Sequence, residues 1–179
     1  MRLRSPRTLG AAGVALLAWV LMVEGASAHV QIEPATARAG ATVPVAFRLE
    51  NEQPDAATVK VLVQFPRKYP IAEATPENDN TWKAKVTTRK VRAFRGPNGR
   101  TTTAVDEVVW EGGPSPKAGE FNLPQITIGP LPKNVKRLYF KVVQTYDNGH
   151  VDRWIQLPKS GAPEPDTPAA TLRLTKHAS

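Results

Sequence analysis

The chain has 179 residues, 41% of them hydrophobic, a formal charge of +8 and no cysteine, so it is long enough for one real core and must hold it without disulfides. Its basic residues are scattered rather than gathered into a long block, which argues for a solvated basic surface and against a nucleic-acid interface. Without cysteine the chain offers no thiolate to a soft metal or an iron–sulfur cluster, and any metal must be met by nitrogen and oxygen.

Residues 1–28 read as a cleaved secretory signal peptide. Arg2, Arg4 and Arg7 make a positive start, Leu9 to Val23 is apolar and uncharged, and Ala26-Ser27-Ala28 is a small-residue cleavage site. The apolar run is shorter than the ~20 residues that span a bilayer core. Cleavage removes Arg2, Arg4, Arg7 and Glu24, lowering the charge from +8 to +6, and takes away both methionines, Met1 and Met22. The mature chain, residues 29–179, is expected to be exported to a periplasmic or extracellular space. Its weak basic excess allows loose attraction to an anionic membrane surface.

The same cut makes His29 the first residue. A free α-amine and an imidazole on one residue can close a chelate ring on one ion, which neither donor forms alone. Binding must expel protons from an amine with a pKa of about 8 and an imidazole near ~6.5, so it weakens as pH falls. Nitrogen and carboxylate donors favour Cu(II), with zinc second.

Along the whole chain, seventeen prolines and twelve glycines punctuate short runs that downstream are rich in Val, Thr, Ile, Phe and Tyr, which predicts an all-β domain. Val43, Val45, Phe47 and Leu49 alternate with smaller or polar residues, and Val59, Val61, Val63 and Phe65 repeat the period-2 pattern. Gly96-Pro97-Asn98-Gly99 predicts a long hairpin between strands at about 82–94 and 101–110. Leu138, Phe140, Val142 and Gln144 share one strand face, and Asn148-Gly149 turns the chain into a strand over 150–157. A stiff connector over 161–168 leads to a closing strand at 170–175. About nine strands suggest a single β-sandwich. Trp82 and Trp110 sit in strand-like runs and are expected in the core.

His29-Val30 with Pro34, Asn51-Glu52 after a strand, Trp82, Trp110-Glu111-Gly112-Gly113, and Gln144-Thr145-Tyr146-Asp147-Asn148-Gly149 followed by Trp154 together resemble the YcnI-like copper-binding domains, from His29 to about Leu174. The resemblance implies an exported Cu(II)-binding sandwich related to cupredoxins and immunoglobulin domains. It implies a single-histidine brace: His29 supplies two nitrogens, Glu52 is the matching acid and Trp154 the matching aromatic. Glu50 faces the same side of an extended chain as Glu52, so either acid can be the carboxylate. Gln144 and Tyr146 either orient the site or are ordinary hairpin residues. Many members of the family carry a C-terminal membrane helix; the segment ending at Thr175-Lys176-His177-Ala178-Ser179 has none, and a soluble protein is expected.

His150 has no place in that pattern. In a regular strand it would lie about 13 Å from Trp154, too far to share a site directly. His177 is expected to be inert. The leading expectation is a non-enzymatic copper chaperone or buffer that hands its ion to a copper-trafficking partner. The alternatives are a copper-dependent oxidative enzyme like the lytic polysaccharide monooxygenases, for which His150 would be the needed second histidine, and a metal-independent cell-surface interaction module.

Overall fold

The structure is a computed structural model that describes residues 29–77, 79–113 and 119–176. The signal segment 1–28 and His177 lie outside the described residues.

Twelve strands form two sheets among the described residues, with no helix. In chain order they are β1 (Gln31–Glu33), β2 (Thr36–Arg38), β3 (Val43–Asn51), β4 (Thr58–Gln64), β5 (Glu73–Pro76), β6 (Trp82–Gly96), β7 (Gly99–Gly112), β8 (Gly119–Asn122), β9 (Ile126–Gly129), β10 (Arg137–Tyr146), β11 (Val151–Trp154) and β12 (Ala170–Thr175). One sheet runs β1-β3-β9-β5, with β8 also on β3. The other runs β2-β12-β10-β4-β7-β6, with β11 also on β10. Each sheet buries one face against the other, the arrangement of a β-sandwich. Phe47 from β3 meets Phe140 of β10 at 5.6 Å between ring centroids and Trp110 of β7 at 6.4 Å. Val45, Val61, Val63, Ile126, Ile128, Leu138, Val142 and Leu172 fill the space around them. Trp82 and Trp110 belong to this core, as their strand context predicts.

The six strands of six or more residues fall where alternation and the turns place them, and the four-residue β11 follows the Asn148-Gly149 turn. The five short strands β1, β2, β5, β8 and β9 have three or four residues each, too few for a period-2 pattern to register. The 82–110 hairpin is longer than expected, with Gly96 pairing Gly99 across Pro97-Asn98. One alternation breaks at its start: Thr58 is buried while Val59 is only half-buried. Tyr146 pairs Thr58 whereas Thr145 pairs Lys60, so a bulge at Val59 turns that side chain away from the core. The strand expected over 150–157 stops at Trp154, and Gln156 then bridges to Pro168.

β6 is an edge strand. It exposes Lys83, Lys85, Lys90, Arg92 and Arg95, charges that discourage edge-to-edge pairing with another copy.

Candidate metal centre

One end of the sandwich gathers the residues singled out from the sequence. β1 pairs antiparallel with β3, Gln31 opposite Arg48 and Glu33 opposite Ala46. Continuing that register two residues brings His29 across from Glu50. Val30 and Ile32 are buried, so the alternation of an extended strand sends His29 to the other side from the core-facing pair. The His29 side chain is 25% exposed, and its ring lies 6.5 Å from that of Trp154, edge to face at 70°. Its Nδ1 is 3.9 Å from Glu164, which belongs to the proline-rich connector and is 72% exposed, so that contact adds little energy.

Trp154 ends β11, opposite Val142 of β10. It is 6% exposed, and its indole Nε1–H has no hydrogen-bond acceptor among the described residues. A buried donor left unmatched costs free energy. Here it lies on the ring that faces His29.

Glu52 follows β3 on a loop held by Asn51. The buried Asn51 amide donates to the carbonyl of Ala56 at 2.7 Å, and its oxygen accepts from the Gln53 N–H at 2.9 Å. An Asn at a strand end can close such a local turn where an apolar residue cannot. Glu52 is solvent-accessible, but partial burial first, then the nearby carboxylates of Asp152 and Glu50, push its carboxyl above the usual range, while His150 pulls it down.

Beneath Glu52 lies a polar network that joins three elements. The Tyr146 hydroxyl donates to Asp152 Oδ2 at 2.8 Å and accepts from the backbone N–H of Glu52. Asp152 Oδ1 meets His150 Nε2 at 2.9 Å, and the His150 ring stands 5.7 Å from that of Tyr146. Burial, then the Asp152 carboxylate, raises the Tyr146 phenol pKa. Gln144, fully buried, donates to Thr58 Oγ1 at 2.8 Å and to the Glu50 carbonyl at 3.2 Å, tying β10 to both sheets. Its own Oε1 has no partner among the described residues.

His29 and Trp154 are therefore neighbours, Glu50 lies two register positions beyond the last β1–β3 pair, Gln31 with Arg48, and Glu52 belongs to the Tyr146–Asp152 network. Among the described residues no three His, Asp or Glu side chains converge tightly enough to hold a metal by themselves. His150, without a place in the sequence pattern, sits in the turn and is committed to Asp152. Asp152 itself escaped the sequence reading. It pairs with Gln144 and lies two residues before Trp154, so the Asn148-Gly149 turn, followed through its register, would have placed it on the same face.

The architecture is that of an immunoglobulin-like sandwich. The sequence profile of the domain of unknown function DUF1775 matches residues 29–174, and the chain belongs to that family, the one its YcnI-like pattern points to. An uncharacterised Nocardia farcinica protein, whose crystal structure reveals an immunoglobulin-like fold, is 30% identical. It aligns over 83% of this chain and 99% of its own, with a TM-score of 0.65. A cohesin module from a Clostridium perfringens family 33 glycoside hydrolase is 10% identical, over 84% of this chain and 99% of its own, with a TM-score of 0.46. No match was found among the curated proteins.

Proposed function

We propose that the mature chain is an exported Cu(II)-binding protein, a chaperone or buffer that holds the ion with the terminal amine and imidazole of His29 and a carboxylate, and passes it to a copper-trafficking partner. The reading rests above all on one observation: the His29 ring is packed edge to face on a buried Trp154 whose indole N–H is unmatched. In the 179-residue chain the His29 nitrogen is a peptide amide, so removal of residues 1–28 supplies the second nitrogen donor.

The donor chemistry fits the ion. Bound Cu(II) would supply a hard-to-borderline positive centre that prefers nitrogen and oxygen in a tetragonal array, with zinc the second choice. His29 would bind it, Glu52 would offset its charge, and Trp154 would restrict water on one side. The Asn51 turn and the Tyr146 hydroxyl would hold the Glu52 loop in place. Glu50 is the alternative carboxylate, because the β1–β3 register continued two residues past Gln31 would set it across from His29. Because the fold holds the Glu52 carboxyl above its usual range, acid protonates it sooner, which adds to the acid sensitivity expected of the chelate.

A two-histidine brace of the monooxygenase type calls for a second imidazole beside His29. The hydrogen bond from His150 to Asp152 favours the binding-protein reading over that enzyme.

The test is electron paramagnetic resonance of the mature protein, its N-terminus verified by mass spectrometry, with one equivalent of Cu(II). A single tetragonal species with nitrogen couplings, lost in His29→Ala and in a version carrying one extra N-terminal residue, is the expected result. A spectrum unchanged by both alterations would reject the terminal chelate.

A further inference from the structure

At the other end of the sandwich, beyond the last residues of β4, two cavities of about 570 and 430 Å³ flank Tyr69, which lines both. Tyr69 is half-buried and packs on the core, so it is a fixed partition between them. Phe94, Leu131 and four prolines wall the larger cavity; Phe65, Tyr139 and Leu157 wall the smaller. Leu157 is 49% exposed, and among the described residues only Ile155 shares such exposure for a large aliphatic side chain. Large aliphatic and aromatic surface kept at the mouth of a preformed cavity is what an apolar ligand body needs.

The polar groups around this surface are all of one sign. Arg95 and Lys133 border the larger cavity, and Arg67, Lys68 and Lys141 the smaller, while neither is lined by Asp or Glu. Arg67 is engaged by Asp106 at 3.5 Å. The other four have no carboxylate within 4.0 Å among the described residues. Two of them are pre-positioned. The Lys68 ammonium stands 5.6 Å from the centre of the Tyr69 ring. The Lys133 stem lies so close over Gly40 that a Cβ there would come within 2.7 Å of it.

We infer that the smaller cavity beside Tyr69 binds a small amphipathic organic anion, an aromatic body seated against Tyr69 and Leu157 with its anionic head met by Lys68 and Lys141, which line the same cavity. Each cavity is of the size that takes a small ligand rather than a folded partner. His29, Glu50, Glu52 and Trp154 are not among the residues that line the smaller cavity, so binding there is expected to be independent of metal.

The test is fluorescence titration of the folded mature protein, with chelator present, using 8-anilinonaphthalene-1-sulfonate and its uncharged relative N-phenyl-1-naphthylamine. Saturable binding of one sulfonate per chain is expected. The pair Lys68→Gln with Lys141→Gln should weaken the sulfonate about tenfold and leave the uncharged probe nearly unchanged, since only the charge-assisted contact is lost. Tyr69→Leu should weaken both probes, whereas Tyr69→Phe, which keeps the ring, should weaken neither. Thermal melts identify any variant that has lost its fold, and for such a variant the Tyr69→Phe and lysine results decide. The remote pair Lys83→Gln with Lys85→Gln on β6 should change nothing. Equal weakening by the remote pair would mean attraction to basic surface in general and overturn the inference, as would the absence of saturable sulfonate binding.

Discussion

Removing one oxygen atom, in Tyr146→Phe, isolates the link between the Glu52 loop and the β10–β11 hairpin. The ring is 2% exposed and a phenyl of the same shape keeps its packing. What disappears is the donor to Asp152 Oδ2 at 2.8 Å and the acceptor for the Glu52 N–H. A hydrogen bond to an ionised group contributes about 1.5–3 kcal/mol. Asp152 is 19% exposed, so water replaces that donor only in part, while His150 still serves the other oxygen. The Glu52 N–H lies on a solvent-accessible residue, and its loss should cost well under ~1 kcal/mol. The expected destabilisation is therefore about 2 kcal/mol, or about 4–8 °C in Tm for a chain of this size. Urea unfolding of the mature protein in chelator measures it, with an unchanged m-value. In an Asp152→Ala background the same substitution should cost less than ~0.5 kcal/mol, because its main partner is already gone. A loss below ~0.5 kcal/mol in the wild-type background, or the full loss in the Asp152→Ala background, would refute the assignment of the energy to this bond.

Glu52→Gln tests the electrostatics of the same loop. Because the fold raises the Glu52 pKa above its ordinary 4.5, the folded state binds more protons than the unfolded chain between 4.5 and the raised value, and stability falls as pH rises through that window. In chelator the Gln variant should melt above wild type at neutral pH and coincide with it below about pH 4; the reverse order at neutral pH would contradict the sign. Trp110→Ala empties a site that is 0% exposed in the middle of the core and should cost about 3–5 kcal/mol by denaturant unfolding. Gly113 has φ of +76°, and a Cβ there would come within 2.9 Å of the Trp82 ring. Gly113→Ala should therefore lose about 1–3 kcal/mol, whereas a neutral effect would mean that the turn under Trp82 relaxes freely.

The last of these explains part of the family pattern. Trp82 and Trp110-Glu111-Gly112-Gly113 are matched in space because Gly112 pairs with Trp82 across the β6–β7 hairpin, and Gly113 passes beneath the same indole. That portion of the motif is about packing. Asn51, Tyr146 and Trp154 belong instead to the end of the sandwich that carries His29.

Pro/Gly punctuation of β-rich runs by itself determined the class of fold, turns marked the β6–β7 and β10–β11 hairpins, and alternation marked β3, β4 and β10, because burial on one face of a sheet imposes a period of two over seven or more residues. It also marked Trp82, Trp110 and the Leu138–Gln144 face as core, since these needs are local. It could not register β1, β2, β5, β8 and β9, whose three or four residues are held by their neighbours rather than by their own pattern, nor the bulge that turns Val59 outward. The order of residues along the chain likewise singled out His29, Glu52 and Trp154 from their place in a pattern. Only the structure set His29 against Trp154 and gave His150 a partner in Asp152. His29 and Trp154 stand 125 residues apart in sequence, and the packing of one sheet on the other, rather than local preference, decides that they meet.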